Sequence, residues 1–243
     1  TDRLKPPKKP RHFVDWQLDY VRRLGADPDE VEFVLPDYSE EEQRVEEYLQ
    51  VNRIDGDFFC LAPGTSWPSK CWTAEGMAQL ADGLSDYGRV IIIGSELDQP
   101  ISSAVMSLME KSFDNAVGRF NLRELAVLLK KATLFFSGDT GPMHLAVAMG
   151  TPVITWLGPT SRELTGPYQK EALTISAGLP CQPCYKRRCK HNRCMRGLTF
   201  ETVWAKVEPY LRAHASTSEL EKSKKEEFQG KCGVETGENL TGL

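Results

Sequence analysis

From Asp57 onward, short continuous apolar runs alternate with longer segments of helical period. Phe58–Ala62, Arg89–Ile93, Ala116–Val117, Thr133–Ser137 and Pro152–Leu157 are apolar along their whole length and mostly close on Gly or Pro. Runs of this kind read as strands buried on both faces. Between them, Thr73–Leu84, Pro100–Lys111, Leu122–Lys131 and Gly141–Met149 carry apolar residues at the spacing of amphipathic helices. Strands and helices in strict alternation predict an α/β fold: a Rossmann-like parallel sheet with helices on both faces. In such a sheet the binding crevice lies at the carboxyl ends of the strands, so the turns after Ala62, Ile93, Ser137 and Trp156 are where function is expected.

The flanks read differently. Residues 1–12 are basic and rich in proline, an extended linker. Phe13–Leu24 reads as a helix stopped by Gly25, Val31–Leu35 as a strand, and Ser39–Val51 as a helix with Ser39 at its cap and three glutamates in its first turn. Ala172–Ser176 would be a last strand and Phe200–His214 a last helix. The division expected is 1–56 as connecting helices and linker, 57–214 as the Rossmann-like domain with a cysteine-rich loop at 181–194, and 215–243 as a polar disordered tail.

The chain has 243 residues, 30 Lys+Arg, 34 Asp+Glu and a formal net charge of −4. With apolar residues at 40%, this is the balance of a globular protein, and it argues against wholesale nucleic-acid binding. No run approaches the roughly 18 apolar residues of a membrane helix. The basic, proline-rich start lacks the pattern of a signal peptide, and an odd count of seven cysteines fits a reducing compartment. A cytoplasmic protein is expected, and because the first residue is Thr, one excised from something longer.

Three turns carry candidate chemistry. Ser137–His144 runs from a strand into a helix, with Thr140 at the N-cap position and Pro142 just inside. The N–H groups near Gly141 and the helix dipole make an anion site, and His144 lies one turn in. Such a turn could equally be ordinary capping; the apolar strand before it, the proline and the histidine favour the anion site. Ala62–Trp72 offers the hydroxyls of Thr65 and Ser66 and the charge of Lys70; alone it could be a solvated loop. In Gly94–Asp98, a carboxylate could accept a ribose or merely cap the next helix.

Cys181, Cys184, Cys189 and Cys194 have the spacing C-x2-C-x4-C-x4-C, which suits a structural zinc or iron. Lys186, Arg187, Arg188, Lys190, Arg193 and Arg196 surround them with no acid between Gly178 and Thr199. Four reduced thiols in a solvated structural loop are the plain alternative. A basic knuckle with Tyr185 could also bind single-stranded nucleic acid, although it lacks the usual glycines.

Together these stretches resemble glycosyltransferase family 9, the heptosyltransferases of the lipopolysaccharide inner core. The motifs that carry the resemblance are Asp139-Thr140-Gly141-Pro142-Met143-His144-Leu145-Ala146, Gly150-Thr151-Pro152-Val153 and Gly158-Pro159-Thr160. Pro63-Gly64 with Lys70 and Trp72, and Gly118 before Leu122, Glu124 and Leu125, add to it. The segment Cys181–Arg187 with Cys194-Met195 is similar to the heptosyltransferase II branch. The resemblance covers about 57–212 and implies the C-terminal, donor-binding half of a two-domain GT-B enzyme. It implies inverting transfer from ADP-heptose to an anionic lipopolysaccharide-core acceptor, with peripheral contact at the inner membrane. The family's catalytic Asp belongs to the N-terminal domain and has no counterpart here. The resemblance implies phosphate contacts from Thr65, Lys70, Thr140, Gly141 and His144, with Lys70 and His144 stabilising the leaving group. Ser66 belongs to the same donor turn. It implies Asp139 near the sugar, Asp98 near the ribose, and the backbone from Gly118 to Phe120 near the base. No catalytic cofactor is implied. The other reading is a non-catalytic nucleotide-binding module whose metal-bound loop recruits a partner or single-stranded nucleic acid.

Overall fold

The computed structural model describes residues 11–26, 31–168 and 172–213. Six parallel strands form one sheet in the order β3-β2-β1-β4-β5-β6. They are β1 (Phe58–Ala62), β2 (Arg89–Gly94), β3 (Asp114–Val117), β4 (Leu134–Gly138), β5 (Val153–Trp156) and β6 (Leu173–Ile175). Every residue of β1, β4 and β5 is buried, as the uninterrupted apolar runs require.

Side chains alternate across this sheet. Phe58, Cys60 and Ala62 join a core with Ile91, Ile93, Phe135 and Val153, covered by α2 (Ser39–Val51), α5 (Leu122–Lys131) and α6 (Gly141–Ala148). α2 supplies Val45 and Tyr48, and Arg123 of α5 clamps Glu41 of α2 with two hydrogen bonds of 2.6 and 3.1 Å. Phe59 meets Phe136 edge-on at 6.1 Å. The period of two sends this pair to the opposite face, where α3 (Ala74–Leu84) and α4 (Gln99–Met106) pack on each other. Burial of the Cys60 thiol in the core pushes its pKa far up, so it is a packing residue.

Helix starts follow the capping residues. Thr73 accepts from the Gly76 N–H, and Asn121 and Glu124 form a reciprocal capping box on α5. α4 is shorter than the expected 100–111, because the Asp82 carboxylate takes the N–H groups of Glu110 and Lys111. Residues 31–35 form no strand: their apolar run reads as β, but no strand pairs with it, and Val34 is 85% exposed. α1 (Phe13–Arg23) forms as expected, capped by the His12 imidazole. Two short helices, α7 (Arg162–Thr165) and α8 (Arg193–Arg196), had no periodic signal.

The described chain divides after Val203 into two compact units. Residues 200–213 are helical. His214 and the expected disordered tail, 215–243 with Cys232, lie outside the described residues.

Candidate functional site

The strand order reverses between β1 and β4, whose carboxyl ends, Ala62 and Ser137, are paired neighbours. A cleft of about 540 Å³ opens there. Its walls come from the turns after β1, β2 and β4, with Thr65, Ser66, Asp98, Thr140 and Gly141 among them. A sheet's crevice belongs at this reversal because the loops on either side depart to opposite faces.

Lys70 ends a short 3-10 turn, Pro68–Lys70, and reaches across the strand ends to the residue after β4. Its Nζ sits 2.9 Å from Asp139 Oδ2 and donates to Asp139 O at 3.3 Å. Both side chains are nearly out of water, at 11% and 7% exposure. Thr165 Oγ1 donates to Asp139 Oδ2 at 3.2 Å, and His144 Nε2 lies 3.9 Å from Oδ1. Asp139 is therefore the hub of a cluster of Lys70, Thr165 and His144. Partial burial lowers the His144 pKa against the pull of Asp139, with His12 and Lys70 acting in the same direction as burial. Protonation of the imidazole is thus displaced to lower pH than that of a free histidine. His144 also borders a second, more apolar cavity of about 290 Å³ with His12, Phe33 and Tyr168.

The remaining expected residues divide. Thr140 caps α6, accepting from the Met143 N–H at 3.3 Å. Thr65 Oγ1 donates to Trp67 O at 2.7 Å, so its hydroxyl shapes the turn from within the cleft wall. Asp98 lines the cleft, but its Oδ2 accepts both the N–H (2.8 Å) and the hydroxyl (2.7 Å) of Ser95, so half of the carboxylate is a cap. Gly118 turns the chain at φ +73° and is not among the residues lining the cleft; Phe120, two residues on, is. Thr165 is not legible in the sequence, because a four-residue helix leaves no periodic signature.

Gly64 is required by close approach. A Cβ built there would overlap the Asp98 carboxylate. Gly64→Ala is expected to push Asp98 off its cap and cost about 1 kcal/mol, the value of a lost N-cap; urea unfolding measures it.

The cysteine loop folds onto the carboxyl end of the sheet. Gln182 Nε2 donates to Leu157 O and Gly158 O, and the N–H groups of Cys184 and Tyr185 donate to Pro159 O. Trp72 Nε1 donates to Leu198 O at 2.6 Å. The structure does not show the metal centre expected at Cys181, Cys184, Cys189 and Cys194. Among the described residues no three His, Cys, Asp or Glu side chains are placed to hold an ion. Cys194 is buried with Met195 beneath Gly158, Cys181 is exposed, and Cys189 Sγ accepts the Asn192 N–H at 3.4 Å. As placed, the four thiols are not gathered into one site. Burial first, then the Cys181 and Cys184 thiols, raises the Cys194 pKa, while the N–H groups of Asn192 and His191 lower that of Cys189. No described helix is long and apolar enough to cross a membrane.

Residues 3–195 match the sequence model of the family described as Glycosyltransferase family 9 (heptosyltransferase). Lipooligosaccharide heptosyltransferase 2 of Campylobacter jejuni (subsp. jejuni serotype O:2) is 28% identical over 160 residues, 63% of this chain and 50% of that protein. The fold is similar to the crystal structure of the glycosyl transferase family 9 from Veillonella parvula DSM 2008, with a TM-score of 0.74 at 22% identity, covering 86% of this chain and 62% of that one. It is also similar to E. coli heptosyltransferase WaaC with ADP, with a TM-score of 0.59 at 22% identity, covering 83% of this chain and 57% of that one. The chain spans about half the length of the first curated relatives it matches.

Proposed function

Because this chain belongs to glycosyltransferase family 9, we propose that it is the donor-binding half of an inverting glycosyltransferase. The reaction assigned is transfer of a heptose from ADP-heptose to the lipopolysaccharide inner core. The observation that carries this reading is the buried Lys70–Asp139 pair at the strand-order reversal; neither residue lines the cleft, but Asp139 directly precedes Thr140, which does. A lysine held there by a carboxylate and a backbone carbonyl is a preorganised charge for a departing diphosphate.

In this reading Ser66, Thr65, Thr140 and the N–H of Gly141 line the phosphate end of the cleft. The N terminus of α6 adds its dipole to the charge of Lys70. His144 stands at the border with the second cavity and meets the phosphate or sugar there. Asp139 acts by holding Lys70, and the free side of Asp98 faces the ribose. The Gly118–Phe120 stretch brings Phe120 to the base. An acceptor hydroxyl, deprotonated by a base in the half of the enzyme outside this chain, attacks the anomeric carbon. The C–O bond to the diphosphate breaks as the new glycosidic bond forms, and the leaving charge falls to Lys70 and the α6 N terminus. No divalent ion is assigned to that step, and no structural zinc or iron is assigned to the cysteine loop. The exposed basic residues from Lys186 to Arg196 are assigned to the anionic acceptor at the cytoplasmic face of the inner membrane. Titration with ADP and UDP tests the donor assignment.

The pH dependence follows from His144. Its pKa lies below the ordinary value of about 6.5, so it gains charge only on acidification. The factor by which the native chain outbinds His144→Gln for ADP should therefore grow as the pH falls from about 8 to about 5.5. Calorimetry at matched salt checks this, and protonation of ADP itself cancels in the ratio.

A further inference from the structure

Two hydrogen bonds join the cysteine loop to the turn that ends in Lys70. Ser69 Oγ donates to Lys186 O at 2.6 Å, and the Ser69 N–H donates to Arg187 O at 3.3 Å. Ser69 is 2% exposed, so water does not compete for its hydroxyl. A third link is aromatic. The Arg187 guanidinium lies 5.3 Å from the centre of the Trp67 ring, and Lys70 Nζ lies 4.4 Å from the same centre.

These contacts converge on three successive links of one short turn. Trp67 precedes it, Ser69 is its buried centre and Lys70 is its end. A lysine has a flexible four-carbon stem and does not aim itself. Lys70 must nevertheless meet Asp139 across a strand boundary, with its ammonium at 2.9 Å. Within the turn, Thr65 bonds Trp67 and the Lys70 N–H donates to Trp67 O at 2.9 Å, which closes its backbone. The buried Ser69 between them is tied by the loop, from outside.

The geometry points to Ser69 and Arg187 as positioning residues. Loop residues 186–187 clamp the 67–70 turn and thereby set the Lys70 ammonium against Asp139, beside the cleft. The clamp gives the basic loop a task within the site, besides any contact with acceptor. Its value for transfer rests on the donor reading, since that reading gives Lys70 the phosphate. The clamp itself can be read without a ligand.

The test is a proton–carbon correlation spectrum of the 243-residue chain labelled with 13C-lysine. The Lys70 methylenes nearest the ammonium should be shifted upfield by the Trp67 ring, and the signal is assigned by its loss in Lys70→Arg. Ser69→Ala and Arg187→Gln should each move this signal toward the position of an exposed lysine, whereas Arg187→Lys should retain it. Arg187 is on the surface, so its variants keep the fold even if Ser69→Ala does not. An unshifted Lys70 signal in the native chain overturns the clamp, as does a signal unmoved in Arg187→Gln. In a second arm, Arg187→Gln should weaken ADP binding about threefold, the scale of one exposed cation–π contact. Arg187→Lys, which retains the signal, should also retain the binding. A loss of binding in Arg187→Gln with the Lys70 signal unmoved means that Arg187 meets the ligand directly, which overturns the positioning role. A shifted, responsive Lys70 signal in a chain that binds no ADP supports the clamp while removing the donor reading.

Discussion

Lys70→Ala is expected to lower stability by about 3 kcal/mol at neutral pH, because breaking a buried ion pair leaves the other charge without its partner. Asp139, 7% exposed in the native chain, would keep among the described residues the Thr165 hydroxyl and the more distant His144 at its carboxylate. The same change removes the cation nearest the proposed diphosphate, so ADP binding should be lost. The stability effect carries its own pH signature. Lys70 depresses the His144 pKa and Asp139 raises it. With Lys70 gone, burial and His12 still lower that pKa, but one lowering cause is removed, so it lies above its value in the native chain. A histidine depressed less in the variant costs the fold less as the pH falls through the imidazole range near about 6.5. The deficit of Lys70→Ala should therefore be smaller near pH 5.5 than near pH 8. Urea unfolding at the two values checks the sign. The double change Lys70→Met with Asp139→Leu should recover most of the stability and none of the ADP binding, since two apolar groups leave no buried charge. An equal deficit at both pH values would show that His144 does not sense Lys70.

The second large effect is at Trp72. Its ring is 2% exposed, packs on Trp156 at 5.2 Å between centres, and lies so close to Gly76 that a Cβ there would fall 2.6 Å from it. Its indole N–H holds Leu198 O at 2.6 Å, which fastens the end of the cysteine segment to the start of α3. Trp72→Ala should cost about 3–5 kcal/mol, the range for emptying a core aromatic site. Trp72→Phe keeps most of the packing and loses the hydrogen bond, for about 1–2 kcal/mol. Amide hydrogen exchange should rise around Met195–Leu198 in both. A loss below about 1 kcal/mol in Trp72→Ala would mean that the loop is held chiefly by Gln182 and Ser69.

Much of this architecture is legible in the sequence because parallel strands buried on both faces must be apolar throughout. β1, β4 and β5 stand out for that reason. Their parallel direction is also implied, since the alternation with helices requires a parallel sheet and places the crevice at the carboxyl ends. What could not be read depends on partners far along the chain. Val31–Leu35 has the composition of a strand, yet a strand exists only where another pairs with it. Asp98 could serve a ribose or a cap, and only the fold shows its Oδ2 on Ser95. The four cysteines have metal-like spacing, but spacing does not direct thiols, and the packing of Cys194 with Met195 under Gly158 turns one inward. Lys70 and Asp139 were each singled out, but their pairing across 69 residues was not, nor was the place of Thr165 beside them. Ser69 gave no signal at all, because its part is a buried hydroxyl on a carbonyl 117 residues away.

The most direct measurement is calorimetric titration of the 243-residue chain with ADP and with UDP, at matched salt and without added metal. The account predicts saturable binding of ADP, at least about tenfold weaker binding of UDP, a gap of about 1.4 kcal/mol, and loss of the ADP signal in Lys70→Ala. Preferential binding of UDP, or binding of neither nucleotide by a sample shown to be folded, would contradict it.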